Sequence, residues 1–422
     1  MEVCSYQCRF CGESLTVSFI DLGMSPLANS FRPFIKKEES EIFYPLHVYV
    51  CTKCFLVQTH TIILDDIFTD YAYFSSYSQT WLSHCKTYVD NVCAEFNISP
   101  KKSVVEIASN DGYLLQYFVE KGIPVLGVEP ARNIAKVAIE ERGIPTICEF
   151  WGKKTAQCIT NRYGNADLLI ANNVLAHVPD INDFISGLKI GLAPDGIITM
   201  EFPHLLALIK NNLFDTIYHE HYSYFSLFVL QKIMQVHGLK IFKVAQLNTH
   251  GGSLRIYVSH TNNSEYKVDV SVTNIIAMEK QNGLCELSGY SDFSAKIEAL
   301  KWDTLLFLTK LKKRHKRIAA FGAPAKGNTI INYLGVKNDL IEFTVDETPY
   351  KQNTLLPGSH IPVYSIDMLF DKTPDYVIIL PWNWKKEIYT KIKSISKWGG
   401  KALVLIPKIE FLGESHYKKQ HD

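Results

Sequence analysis

Tyr218, His219, Glu220 and His221 place four functional side chains in four consecutive positions. Histidine suits proton transfer near neutrality, with an unperturbed pKa of roughly 6.5. A neighbouring carboxylate orients such a base, and a tyrosine hydroxyl donates to a developing oxyanion. Paired histidines beside a glutamate also suit a metal, but His-Glu-x-x-His spacing is absent. Taken alone, the run reads equally as an acid–base site or as a surface turn.

Cys8-Arg9-Phe10-Cys11 and Cys51-Thr52-Lys53-Cys54 are separated by 39 intervening residues. Two residues between cysteines let a tight turn aim both sulfurs at one ion. Two such knuckles fill all four positions of a tetrahedral thiolate site, which is structural zinc with no place left for water. The competing reading is four buried or redox cysteines, with Cys4 a rival ligand. Cys85, Cys93, Cys148, Cys158 and Cys285 read as packing residues.

A third constellation ends a strand and opens a helix: Glu106, Ala108, Ser109, Asn110, Asp111 and Gly112. About 18 residues beyond that turn, Glu129 closes the next strand, where an acid accepts from both ribose hydroxyls. The turn lacks the three glycines that bring a pyrophosphate onto a helix N-terminus. S-adenosylmethionine has no pyrophosphate, and its cationic groups favour Asp111 nearby. Asn172, Asn173 and His177 follow another strand, at a carboxyl edge where open α/β sheets bind ligands. A non-binding sheet is the bland alternative. A fourth loop, Gly322 to Thr329, resembles a phosphate loop, but Asn328 stands where the lysine belongs. Its backbone amides and Lys326 suit a diphosphate, and Asp346 ends the following strand in position for a ribose. Alternatively Gly322 and Gly327 serve only tight turns.

The elements that position these residues alternate. Strands are predicted at 103–107, 124–128, 166–171 and 196–202, after a helix over 80–95, which implies a parallel sheet with right-handed crossovers. Residues 205–300 mix helix with strands at 240–244 and 253–260. A second doubly wound unit follows, with strands at 317–321, 341–345, 376–380 and 402–405. The break falls near 285–300.

The chain has 422 residues and a formal net charge of +1. Two or three domains are expected, and no polyanion-binding excess is present, so nucleic acid is not an expected partner. The basic run 312–316 reads as a solvated helix end. No apolar stretch approaches the roughly 20 residues of a membrane helix, and the opening residues lack a secretory pattern. A cytoplasmic protein is expected, with monomer and dimer both open.

In these stretches the sequence resembles the S-adenosylmethionine-dependent sugar C-methyltransferases that act on nucleotide-linked 4-keto-deoxysugars. The matching segments run in order: Cys8–Cys11 with Cys51–Cys54, Glu106–Leu115, Gly127 to Pro130, Asn172–His177, Glu201-Phe202-Pro203, Tyr218–His221, Gly251 to Arg255, and Gly322–Thr329. Ala108 departs from a frequent glycine by one methyl group. The resemblance implies an α/β chain with an N-terminal zinc-binding domain (1–70), a central Rossmann-like methyltransferase domain (71–290) and a C-terminal Rossmann-like domain that holds the sugar nucleotide (291–422). It implies His221 as the base that removes the C-3 proton beside a C-4 ketone, with Tyr218 and Glu220 supporting it. His177 would polarise the ketone, and Tyr73, Tyr77 and Arg255 would reach the sugar. The rivals are a nicotinamide-dependent sugar-nucleotide oxidoreductase and a non-catalytic zinc-containing interaction protein.

Overall fold

The computed structural model describes residues 6–61, 76 and 79–413. Cys4, Tyr73 and Tyr77 lie outside them. The described strands form three sheets.

The N-terminal sheet is antiparallel. Its strands are Val17–Ser25, Tyr44–Val50 and Val57–Thr59. Along the second, Leu46, Val48 and Val50 point inward in strict alternation, as a sheet with one buried face requires. A fourth strand, Ser223–Tyr224, comes from mid-chain and pairs with Val57–Thr59.

The central sheet has seven strands: Val104–Ile107, Val125–Val128, Thr146–Ile147, Ala166–Ile170, Leu192–Pro203, Leu239–Leu247 and Ser253–His260. Numbered in that order, they lie 6-7-5-4-1-2-3 across the sheet. The first five are parallel, and the last two form an antiparallel hairpin at one edge. All four residues of the first strand are buried, because helices cover both faces. Strands one and four are neighbours, so chain direction diverges between them and leaves a crevice at their carboxyl ends.

The C-terminal sheet centres on Ile318–Phe321, flanked by Thr344–Val345 and Tyr376–Ile379, all parallel. It too has its switch point directly after the central strand. Its far edge is completed by Arg32–Pro33, which pairs with Thr354–Leu355. The N-terminal segment therefore supplies a strand to one sheet and receives one from the middle of the chain.

Strand 253–260 forms as expected. The strand read at 341–345 shortens to Thr344–Val345, and that at 196–202 grows to Leu192–Pro203. The cysteine expectation needs correction. Cys148 and Cys158 are exposed: one follows the short edge strand Thr146–Ile147, and the other lies off the Ala156–Ile159 face of helix Lys153–Tyr163. One apolar core joins Cys8, Cys51 and Leu56 to Val105, Leu169 and Phe202. A second joins Phe19, Leu46 and Val48 to Ile318, Ile330 and Ile378. The zinc lobe is thus wedged against both Rossmann-like sheets, and Phe19 stacks on Phe293 at 4.6 Å.

Candidate active site

The four cysteine sulfurs lie within 4.8 Å of one another. Cys8–Cys54 and Cys11–Cys51 are 3.6 and 3.5 Å apart. A tetrahedron with Zn–S bonds of about 2.3 Å has edges of about 3.8 Å, so the cluster fits zinc. Each knuckle closes the same way. Gly12 N–H donates to Cys8 O and Phe55 N–H to Cys51 O, with both residues at positive φ. Gln58 Nε2 donates to Cys8 Sγ at 3.1 Å.

The first knuckle also grips the Tyr218–Tyr224 segment. Arg9 Nη1 donates to Tyr222 O at 2.7 Å, its guanidinium lies over the Tyr222 ring, and Gln58 Oε1 accepts from Arg9 N. Thr59 N–H donates to the same Tyr222 carbonyl. From the other side Asn182 Nδ2 holds Arg9 O and Phe10 O.

Within that segment the two histidines diverge. His219 turns to the N-terminal sheet and packs on Tyr44. His221 turns inward. Its Nδ1 meets Thr216 O at 2.7 Å, so that nitrogen carries the proton and Nε2 keeps its lone pair. Tyr218 Oη donates to Nε2 at 2.9 Å, with the two rings 4.1 Å apart. The His177 ring stands edge-on to His221 at 4.7 Å. Burial, then the nearby His177, push His221 well below its ordinary pKa, and burial takes His177 down to about 4. Both are neutral at pH 7, and His221 is a free base. Glu220 Oε1 accepts from Asn29 Nδ2 at 2.6 Å.

The C-terminal sheet closes the other side. Trp382 Nε1 donates to Asp215 Oδ2 at 2.6 Å. Gly251 sits at φ +86° against Trp382, where a Cβ would come within 2.5 Å of the ring. Gly251 is therefore needed for close approach between the sheets, while Gly252, at φ +128°, packs on Ala207. Thr329 Oγ1 donates to Ile217 O, and Asn328 Nδ2 to Ala28 O at 2.6 Å. Lys326 Nζ is shut from solvent and makes no hydrogen bond within the protein. Asp215 Oδ1 is also buried without a partner. His250 stands within electrostatic reach of Lys326 and Glu201. Asp215, His250, Trp382 and Asn29 were not anticipated from sequence. Gly251-Gly252 was the one local sign of a tight approach there.

At the central switch point, Ala108, Asn110 and Gly112 all take positive φ, which folds the loop back over the strand end. Glu129 clasps it: Oε2 accepts from Asn110 N and Oε1 from Ala131 N, both at 2.9 Å. Asp346 repeats the clasp in the second sheet, accepting from Ala323 N at 2.7 Å and Thr348 N at 2.9 Å. Pro130 lies between Glu129 and the helix Arg132–Glu140. Ser109 lies over Gly127. Glu106 Oε2, Asp111 Oδ1, Asn172 Oδ1 and Asn173 Oδ1 are buried with no hydrogen-bond partner. Burial, with Glu129 and Asp111 nearby, raises the Glu106 pKa well above normal. Buried polar atoms are rarely left unpaired, and this set fits a polar, cationic ligand such as S-adenosylmethionine. Arg255 is engaged instead: Nη2 donates to Glu201 Oε2 at 2.6 Å and its guanidinium lies over Tyr88. His84 and Thr249 also bond Glu201. Burial opposes its ionisation, but His84 and Arg255 outweigh it and hold the carboxyl at about 2.

Three family models cover the chain: a zinc binding domain at residues 8–68, a methyltransferase domain at 84–244, and a C-methyltransferase C-terminal domain at 248–407. The C-methyltransferase NovU of Streptomyces niveus is 34% identical over 95% of this chain and 96% of its own length. The chain belongs to the C-methyltransferase family. A ubiquinone biosynthesis O-methyltransferase of Bartonella tribocorum is 25% identical over 26% of this chain and 47% of its own. The magnesium protoporphyrin IX methyltransferase of Synechocystis PCC 6803, with bound SAH, aligns with 46% of this chain and 91% of its own, at 16% identity and a TM-score of 0.35. The C-methyltransferase uses S-adenosylmethionine, and its four clustered cysteines form the zinc site. Family membership sets aside the nicotinamide and non-catalytic readings. Among the described residues no helix is long and apolar enough to cross a membrane.

Proposed function

We propose that this C-methyltransferase adds a methyl group to C-3 of a nucleotide-linked 4-keto-deoxysugar, through an enolate formed by His221. The observation that carries this reading is the Tyr218–His221 pair. It holds a neutral imidazole, with Nδ1 tied to Thr216 O, between the carboxyl edges of two Rossmann-like sheets. S-adenosylmethionine, when bound, supplies the methyl group as an electrophile. Glu106, Ser109, Asn110, Asp111, Gly112, Glu129, Pro130, Asn172 and Asn173 would hold it.

A carbon–hydrogen bond is not nucleophilic, so the chain must first make a carbanion equivalent. A C-4 ketone acidifies the neighbouring C–H. His221 Nε2 takes the proton, either directly or through the Tyr218 hydroxyl that bonds it. His177 polarises the ketone oxygen. Glu220, fixed by Asn29, orients the sugar. The C-terminal loop at Asn328, with Asp346, serves the nucleotide end, and Arg255, Tyr73 and Tyr77 the sugar. Such substrates are made inside cells, which suits a cytoplasmic enzyme.

The test is incubation of the zinc-loaded protein and S-adenosylmethionine with a panel of nucleotide-4-keto-deoxysugars. Mass spectrometry and NMR of the products should find one added methyl on C-3. A methyl on oxygen, or on C-5, the other carbon flanking the ketone, would overturn the assigned position. Transfer to no member of the panel would overturn the sugar reading.

A further inference from the structure

Proton removal puts negative charge on the sugar's carbonyl oxygen. An enzyme that makes an enolate in a dry pocket needs hydrogen-bond donors or a positive group aimed at that charge. The two histidines described so far are neutral. Among the described residues, Lys326 is a cation within electrostatic reach of His221.

Lys326 lies in the first turn of helix Ala325–Leu334, directly after the switch point of the C-terminal sheet. Its sequence position suggested a diphosphate contact. Nζ is sealed from solvent, 6.0 Å from the Trp382 ring centre, and within electrostatic reach of Asp215, His221 and His250. Those groups come from the central part of the chain, and Trp382 ties Asp215 to the same corner. An ammonium there has three donors and no acceptor in the protein. Leaving a buried charge unpaired is costly, and a ligand oxygen relieves it.

We propose that Lys326 is a catalytic residue that receives the enolate oxygen, delivered to the proton-abstraction site by the C-terminal sheet. The step is balanced. The C-3 proton passes to His221, the C–H electron pair becomes the C3–C4 double bond, and the carbonyl π pair moves onto oxygen beside the ammonium. Burial lowers the Lys326 pKa, and Asp215, within electrostatic reach, opposes that lowering. The proposal rests on the enolate reading above.

The experiment follows exchange of sugar C–H with deuterated water by NMR, with S-adenosylhomocysteine in place of the methyl donor. The probe is the thymidine-diphosphate 4-keto-6-deoxyhexose, or whichever sugar of the panel the wild type exchanges. Lys326→Met should slow exchange about 100-fold or more, the usual effect of losing an oxyanion donor. Lys326→Arg should restore part of it. Thymidine diphosphate affinity by calorimetry should stay within about threefold, since a diphosphate role would weaken it more. Lys326→Met with Asp215→Asn removes both charges and so restores electrostatic balance. It should stay as slow as the single variant, whereas a merely structural lysine would be rescued. Near-normal exchange in Lys326→Met, rescue by the double variant, or a matching loss of thymidine diphosphate binding would each overturn the proposal. A wild type that exchanges no sugar of the panel overturns the enolate reading first, and this inference with it.

Discussion

His221 depends on two hydrogen bonds and on burial. Nδ1 is committed to Thr216 O and Nε2 to the Tyr218 hydroxyl. Because burial lowers its pKa, the neutral base persists below the ordinary histidine range. The acid limb of kcat should therefore fall below about pH 6.5, and a limb above about pH 7 would contradict a buried neutral base. Glu129 is a second residue-scale case. Both its oxygens clasp backbone N–H groups, so Glu129→Ala loosens the cofactor loop as well as removing the ribose acceptor. Charge-assisted hydrogen bonds contribute roughly 1.5–3 kcal/mol, so S-adenosylmethionine affinity should drop about 10-fold or more. Calorimetry showing unchanged affinity would remove Glu129 from the site. The residues legible in sequence were those grouped in short motifs: the cysteine knuckles, the Tyr218–His221 run and the cofactor loop. Asp215, His250, Trp382 and Asn29 were not legible, because tertiary packing alone brings these isolated side chains together.

The zinc knuckle, the strand Val57–Thr59 and the Tyr218–Tyr224 segment form one mechanical unit. Arg9 and Thr59 both hold Tyr222 O, and Ser223–Tyr224 completes the N-terminal sheet. Removing one thiolate, as in Cys51→Ser, should lose zinc and unfold the lobe, because structural zinc binding is coupled to folding. Arg9→Met separates the two roles. It should keep zinc by metal analysis yet lower kcat, with about 1.5–3 kcal/mol of stability lost from the missing charged hydrogen bond. Unchanged kcat in a stable, zinc-loaded Arg9→Met protein would show that the lobe does not position His221. Alternating hydrophobic strands and intervening helices made both Rossmann-like sheets legible. The exchanged strands Ser223–Tyr224 and Arg32–Pro33 are two residues each. That is too short for any periodicity, so sequence reading kept the lobes more separate than they are.

Across the whole molecule, the site lies where the three sheets meet, and it is built from buried ionisable groups. His177 and His250 are depressed from 6.5 to about 4, by burial first. The unfolded chain therefore binds protons better between about pH 6.5 and pH 4. Their contribution is complete above that window and is lost as pH falls through it. Glu106 and Asp215, raised by burial, work in the opposite sense. Denaturation at about pH 7 and about pH 5 should find less stability at the lower value, and His177→Asn should flatten the difference. An unchanged slope would mean that His177 is not buried neutral.

The central claim is that His221 makes the nucleophilic carbon. His221→Asn keeps a similar shape but carries no base at neutral pH. With a sugar that the wild type accepts, the variant should lose both C–H exchange in deuterated water and methyl transfer, by about 10²–10⁴-fold. It should still bind S-adenosylhomocysteine and the sugar nucleotide. Near-normal exchange or turnover in His221→Asn, with Tyr218→Phe abolishing both, would reverse the roles assigned to this pair.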